Sequence, residues 1–496
     1  MQRNLTKPHQ EIVSMLKITK ELFTSWNDAG LLYCHWKSNE HLLPGLDGDT
    51  DLDVLLSRDD QTKGETILHE LDFLQCKSQY GSRYPNVDDW IGFDKDTGKL
   101  IHLHLHYAIV TGHKGLKEYE LPWAERALKT RILDEEYGVY TMEPNLEMVT
   151  LYTRIGLKAG VIEISRCIKG SFKFPKDTQR EIDWLKERVD VKEVYQILVE
   201  YYGKDADALN EIMSRGNINS DSYLKLRKIA ENTFKNYSRV KHFMRLRELS
   251  YLLYHICLKR ILKRLKPIIS KKVPISEKGL TVAFLGQDGA GKTTVTKNLI
   301  KWWSWKMDVR YVYLGSGENY FSLEKSLSHK LPPKGVFKYF RAILGLSVLS
   351  DVAKQSYKNV LKAEKYASKG GLVIFDRFPQ TKYMSICDGP KLRKKVHDYF
   401  GDGILSKLFA PMIKTEEKYI GKTVTHTPDV VIKLTLTPEE SIRRKPHENY
   451  EAVKRKHEIV NSLTFENSDV YTIDATMPFE DELVLIKKII WQHIHK

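Results

Sequence analysis

Thr281-Val282-Ala283-Phe284-Leu285-Gly286-Gln287-Asp288-Gly289-Ala290-Gly291-Lys292-Thr293-Thr294 is the stretch that decides how the second half of this 496-residue chain folds. It opens as a short apolar strand, passes through a glycine-rich turn, and runs into VTKNLIKWW, which reads as a helix. The spacing is GxxxxGK[ST] in a strand–loop–helix context. Glycines let the backbone wrap phosphate oxygens with its N–H groups, where side chains would intrude. The helix that starts near Lys292 turns its positive end toward the same phosphates. Lys292 adds a cation, and the Thr293 hydroxyl is placed to ligate Mg²⁺. ATP and Mg²⁺ are therefore the expected cofactors, held by Gly286, Gln287, Asp288, Gly289, Ala290, Gly291, Lys292, Thr293 and Thr294.

Beyond this loop the pattern alternates. Apolar runs near 281–286, 309–314, 371–376, 429–436 and 469–474 read as strands, with helical stretches between them. That order predicts an α/β domain over 278–496, a parallel sheet with helices on both faces. A carboxylate at the C-terminal end of an inner strand would face the loop's metal, which suits Asp376.

In four features, taken in order, this half resembles the thymidylate-kinase family. GQDGAGKTT matches its phosphate loop, GGLVIFDRF its strand ending in Asp-Arg, Arg443-Arg444-Lys445 its arginine-bearing lid, and VYTIDATMPF its closing strand and turn. The resemblance implies a phosphotransferase. Lys292, Arg443 and Arg444 would then steady the transferred phosphoryl, Asp376 and Thr293 the metal, and Arg377 the acceptor's phosphate. Asp288 would contact the acceptor. The chain departs from the family at 315–370, where no base-recognition pattern aligns, and after Phe378, where PQTKYMSICDGP replaces a small-residue helix. The expected acceptor is a small phosphorylated or hydroxyl-bearing metabolite rather than thymidylate itself.

The first 143 residues read as mixed α/β. A helix is expected over 9–28, strands near 31–36, 52–56 and 99–110, and a helix over 61–73. GLDGDTDLDVLL carries Asp51 and Asp53 two apart on a strand, so both carboxylates point to one face. KLIHLHLHYAIV does the same for His102, His104 and His106. The Asp-x-Asp pair resembles nucleotidyltransferase-fold domains, which implies that Asp51 and Asp53 hold Mg²⁺. Lys37-Ser38 stands where that family has a Gly-Gly/Ser turn. His102 stands where its third acid is expected, and His104 keeps a histidine some members carry. The three histidines also suit a metal site or a solvated strand face.

Residues 144–277 change to long helical periodicities and form an expected helical middle domain with a basic linker. Within 255–272, Leu258, Ile261, Leu262 and Leu265 lie beside Lys259, Arg260, Lys263, Arg264 and Lys266. Such a stripe suits either an anionic membrane surface or a helix docked on the core with its charges in water. The net charge of +15 favours anionic partners. Five scattered cysteines form no CxxC pair, which argues against zinc or disulfides and for a reducing, cytoplasmic setting. Neither a signal peptide nor a membrane-spanning helix is expected. A nucleotide and a small-molecule acceptor are the expected partners. Nucleic acid is not favoured, because no recognised binding module is visible, and a homo-oligomer remains compatible. Competing functions are a nucleic-acid end kinase and an ATP-dependent regulatory or defence protein.

Overall fold

The computed structural model describes residues 15–78, 84–113, 116–240, 250, 271–275, 278–287, 289–315 and 336–495. The chain forms two compact units, Met1–Ile261 and Leu262–Lys496. The fold is α/β.

In the first unit the strands are β1 (Tyr33–His35), β2 (Asp51–Leu56), β3 (Leu74–Lys77), β4 (Val87–Phe93), β5 (Leu100–His106), β6 (Ile109–Thr111), β7 (Tyr119–Leu121), β8 (Ile132–Asp134) and β9 (Val139–Thr141). The main sheet of this unit contains the run β3-β4-β5-β2-β1-β9-β8, while β6 and β7 pair separately. β2 and β5 are parallel, with Asp51 opposite His102 and Asp53 opposite His104. β4 runs antiparallel to β5 and sets Asp89 opposite His104.

Period-two alternation sorts these strands into two faces. Leu52, Val54, Leu103 and Leu105 turn one way and pack with Leu22, Phe23 and Trp26 of α1 (Lys17–Asp28) and Leu68 of α2 (Gln61–Glu70). Cys34, Trp36 and Leu55 turn the other way. They share a core with α3 (Pro144–Leu157), α4 (Val161–Ile168), α5 (Lys176–Lys186), α6 (Val191–Tyr202), α7 (Ala206–Arg215) and α8 (Ser220–Phe234). These helices cover apolar strand residues that would otherwise face water, so residues on both sides of 143 share one core. The division between the two units falls at 261/262. The basic stripe at 255–272 lies outside the described residues except for 271 and 272.

In the second unit β10 (Thr281–Gly286), β11 (Val309–Tyr313), β12 (Leu372–Asp376), β13 (Val430–Thr435) and β14 (Asp469–Asp474) form a sheet in the order β11-β12-β10-β13-β14. Every pairing in it is parallel. These strands fall within one or two residues of the positions expected from sequence. α9 (Lys292–Trp303), α10 (Val336–Ala367), α11 (Leu392–Phe400), α12 (Ala410–Val424), α13 (Pro438–Arg444), α14 (Tyr450–Ser462) and α15 (Phe479–Ile494) accompany the sheet. Buried Val282, Phe284 and Ile374 alternate with buried Ala283, Leu285, Val373 and Phe375, so both faces are covered. No helix among the described residues is long and apolar enough to cross a membrane.

Glu147 of α3 is 1 % exposed, and burial pushes its carboxyl from an ordinary 4.5 up to about 7. It accepts hydrogen bonds from Asn39 N at 2.9 Å and Asn39 Nδ2 at 2.7 Å, which tie α3 to the turn after β1. A raised acid is protonated longer in the folded state, so its contribution is complete below pH 4.5 and is lost as pH rises through 7. The shift corresponds to about 3 kcal/mol. In Glu147→Gln the fall in thermal stability between pH 4.5 and 7 should flatten, measured by calorimetry against the parent chain.

Candidate functional sites

At the end of β10 the backbone is pressed against its neighbour. Gly286 lies opposite Leu434, and a Cβ on Gly286 would stand 2.4 Å from the Leu434 carbonyl oxygen. Glycine is thus required by contact. Gly289 and Gly291 follow with φ of 89° and 81°, and α9 begins at Lys292. Asp288 lies outside the described residues.

Lys292 is 9 % exposed and donates to the carbonyls of Gly286 and Gln287, both at 2.8 Å. Its ammonium is held over the loop by backbone oxygens. Gln287 accepts from Leu436 N at 3.2 Å, fastening the loop to the end of β13. The Thr293 hydroxyl donates to Asp376 Oδ2 at 3.3 Å, and Asp376 is 1 % exposed. Tyr311 on β11 donates to the same oxygen at 2.8 Å. Burial, and then the Asp376 carboxylate, raises the Tyr311 phenol, so it stays a donor. The expected trio Lys292, Thr293 and Asp376 does converge. Tyr311 is an addition that only strand register could have shown.

Arg377 follows at φ 75°, a left-handed conformation that costs a side-chain-bearing residue of order 1–3 kcal/mol. Its guanidinium lies 3.6 Å from Asp388, and Lys391 lies 3.5 Å from the other oxygen of that carboxylate. Gln380 shapes the intervening turn. It donates to the Tyr383 and Ile386 carbonyls at 2.6 and 2.7 Å and accepts from Tyr383 N at 2.7 Å. Ser385, Cys387 and Asp388 also take positive φ. This is the PQTKYMSICDGP stretch, and it builds one wall of a cleft of about 210 Å³ whose other walls include Gly286, Lys292, Arg377 and Lys456.

The two lid arginines part company. Arg444 donates to the Gly289 carbonyl at 3.2 Å and the Ala475 carbonyl at 2.9 Å, bracing the loop from α13. Arg443 points away, 77 % exposed, and pairs with Glu440 at 2.7 Å. The structure thus brings Arg444, and not Arg443, to the loop.

In the first unit Asp51, Asp53, His102, His104 and His106 share one sheet face, as the alternation requires. His102 Nδ1 lies 2.6 Å from Asp51, and His106 Nε2 lies 3.2 Å from Asp53. Asp89 of β4 joins them. It lies 3.1 Å from His102 Nε2 and 3.2 Å from His104 Nε2. Asp89 thus brings a third carboxylate to this face, one not among the residues expected from sequence. Antiparallel pairing across a connection of uncertain register hid it. Among the described residues, ligand atoms of Asp51, His102 and His104, and those of Asp53, His104 and His106, lie within 4.8 Å of one another.

Charge is tightly balanced here. Burial opposes ionisation of Asp53, yet Lys37, His104 and His106 outweigh it and hold the carboxyl well below its ordinary range. Burial works against charge on His104 too, but Asp53 and Asp89 raise its pKa. His106, fully buried, is pushed down to about 3 and stays neutral.

No family model matches the chain. It is 24% identical over 231 residues to the uncharacterized ATP-binding protein YghR of Escherichia coli strain K12, covering 42% of this chain and 86% of that one. It is 24% identical over 223 residues to the uncharacterized ATP-binding protein YghS of the same strain, 41% of this chain and 88% of that one. Among solved structures, deoxyadenosine kinase from M. mycoides with dCMP and dCDP is 20% identical over 42% of this chain and 98% of its own, at a TM-score of 0.26. The same enzyme with dATP is 16% identical over the same shares, at 0.25.

Gly286→Ala should lower stability by about 1–3 kcal/mol through the clash with Leu434. Urea unfolding would register it as an earlier midpoint with an unchanged slope.

Proposed function

We propose that the second unit transfers a phosphoryl group from ATP to a small acceptor bound at the C-terminal edge of its sheet. The single observation that carries this reading is the meeting of Thr293 and Asp376, 3.3 Å apart, beside the glycine loop and the Lys292 ammonium. The relatives that are 24% identical over 231 and 223 residues are named ATP-binding proteins, which supports it. The site fits the groups it needs. Gly289 and Gly291 take the positive φ that a phosphate-wrapping loop needs, and Thr293 and Asp376 offer two hard oxygens to Mg²⁺. When bound, Mg²⁺ neutralises charge on the β- and γ-phosphates.

The acceptor oxygen attacks the γ-phosphorus, the bond to the β–γ bridging oxygen breaks, and ADP leaves with that electron pair. Lys292 follows the charge that builds on the leaving oxygens. Arg377 and Lys391 face the cleft already sharing Asp388. An acceptor carrying a phosphate would exchange one anion for another between them, which favours a phosphorylated acceptor over a neutral one. Asp376 and Tyr311 position the metal ligand set. Arg443 needs a movement of α13 to reach the phosphates, in keeping with a lid.

A second reading concerns the first unit. Asp51, Asp53 and Asp89 gather on one face of β2, β5 and β4, the arrangement in which carboxylates hold divalent metal for attack on a nucleotide phosphate. Convergence of the third acid favours a nucleotidyltransferase-like activity there.

Incubation with labelled ATP against nucleoside monophosphates, sugar phosphates, sugars and oligonucleotide ends tests the first reading. Label on a small phosphorylated acceptor is expected. Label only on oligonucleotide 5′ ends, with steep salt dependence, would point to an end kinase. Label only on free phosphate would point to an ATP-driven switch. Lys292→Ala should cut transfer by roughly 10²–10³-fold while leaving the circular dichroism spectrum unchanged. Asp51→Asn combined with Asp53→Asn should leave that transfer standing and abolish Mn²⁺ binding by the first unit, followed by electron paramagnetic resonance. Retained Mn²⁺ binding would remove the second reading.

A further inference from the structure

Among the helices of the first unit lies a cavity of about 240 Å³ that neither reading above uses. Arg154, Lys158, Arg166 and Lys173 contribute cations to its wall, against Glu163 and Glu181. The excess charge is positive, and the most deeply placed cation is poorly matched. Arg154 is 7 % exposed, and its Nε finds no hydrogen-bond partner among the described residues. Its Nη1 stands 3.8 Å from Glu181 Oε1, beyond hydrogen-bonding reach, and that oxygen is likewise unsatisfied. Buried polar groups left in this state cost about 1–3 kcal/mol each, more when charged, so retaining them argues for a visitor.

Lys158 adds to the imbalance. It is exposed at the C-terminal end of α3, one helical turn beyond Arg154, and that guanidinium lowers its ammonium below the ordinary value. Two cations held together with too little countercharge form a seat for an anion. Beside them the wall is aromatic. Phe172 and Tyr223 pack with ring centroids 4.6 Å apart at 37°, and Phe172 is half-buried, so part of its ring is available to the cavity.

We propose that this cavity binds a phosphorylated small molecule with a planar ring, of the mononucleotide class. The phosphate sits between Arg154 and Lys158, and the ring lies against Phe172 and Tyr223. A guanidinium fork matches two phosphate oxygens at once, and an aromatic face takes a base of any identity. Exposed Arg166 and Lys173 at the rim complete neutralisation of a dianion. The inference does not depend on phosphoryl transfer by the second unit.

Hydrogen-exchange mass spectrometry of the full chain tests it, because the readout is local. Millimolar AMP should slow exchange across 158–176 and across α8 by roughly tenfold, and inorganic phosphate should slow it less. The combined variant Arg166→Ala with Phe172→Ala should lose the AMP effect while its ligand-free exchange matches the parent. Should that variant unfold locally, Lys173→Glu at the exposed rim must weaken the AMP effect instead. No slowing by AMP, equal slowing by inorganic phosphate, or slowing that survives in both variants would overturn the proposal.

Discussion

The second unit depends on a backbone contact at the end of its central strand. β10 continues past its pairing with β13 only because Gly286 has no side chain to strike Leu434. That contact sets where the loop leaves the sheet, and hence where α9 begins. Lys292 then folds back over the Gly286 and Gln287 carbonyls, and Thr293 reaches Asp376 on the neighbouring strand. The start of α9 carries roughly half a positive charge. The Lys292 ammonium and this helix end therefore converge on one point, fixed by the glycine contact rather than by side-chain recognition.

The first unit solves a similar problem with side chains. Its sheet has one mostly apolar face, over α1 and α2, and one divided face. On the divided face, alternation places Asp51, Asp53 and three histidines where Trp36 and Leu55 give way to polar residues. The carboxylates and imidazoles hold one another. Asp53 is stabilised as an anion by Lys37, His104 and His106, and His104 is in turn made more basic by Asp53 and Asp89. Removing one partner leaves another buried and unpaired, which is the expensive outcome for a low-dielectric site.

How much of this was legible in the sequence follows from how local each signal is. The five parallel strands and the loop from Gly286 to Thr294 are short-range patterns, and they were read to within one or two residues. Asp51, Asp53, His102, His104 and His106 share a face by strand periodicity alone. Asp89 was not legible, because its place depends on the register of β4 against β5 across a separate connection. Tyr311 escaped for the same reason, since it reaches Asp376 only through the pairing of β11 with β12. Gln380 was not singled out from sequence, and its bonds to Tyr383 and Ile386 shape the turn that forms the cleft wall. The shared core of strands and helices around residue 143 was not legible, because helical periodicity says which side of a helix is apolar, and not which surface that side will cover.

Electrostatics ties these observations together. A net charge of +15 is a property of the whole chain, but its chemical meaning rests on where cations lack partners. Arg443 is exposed and paired within its own helix, so water and Glu440 already satisfy it. Arg154 is buried, with an unsatisfied nitrogen and a second cation beside it. Water screens the first well and the second far less. A surface count of lysines and arginines therefore says little about ligands. An anion gains most where desolvation has already been borne by folding, and in the first unit that place is the helical cavity rather than the basic surface.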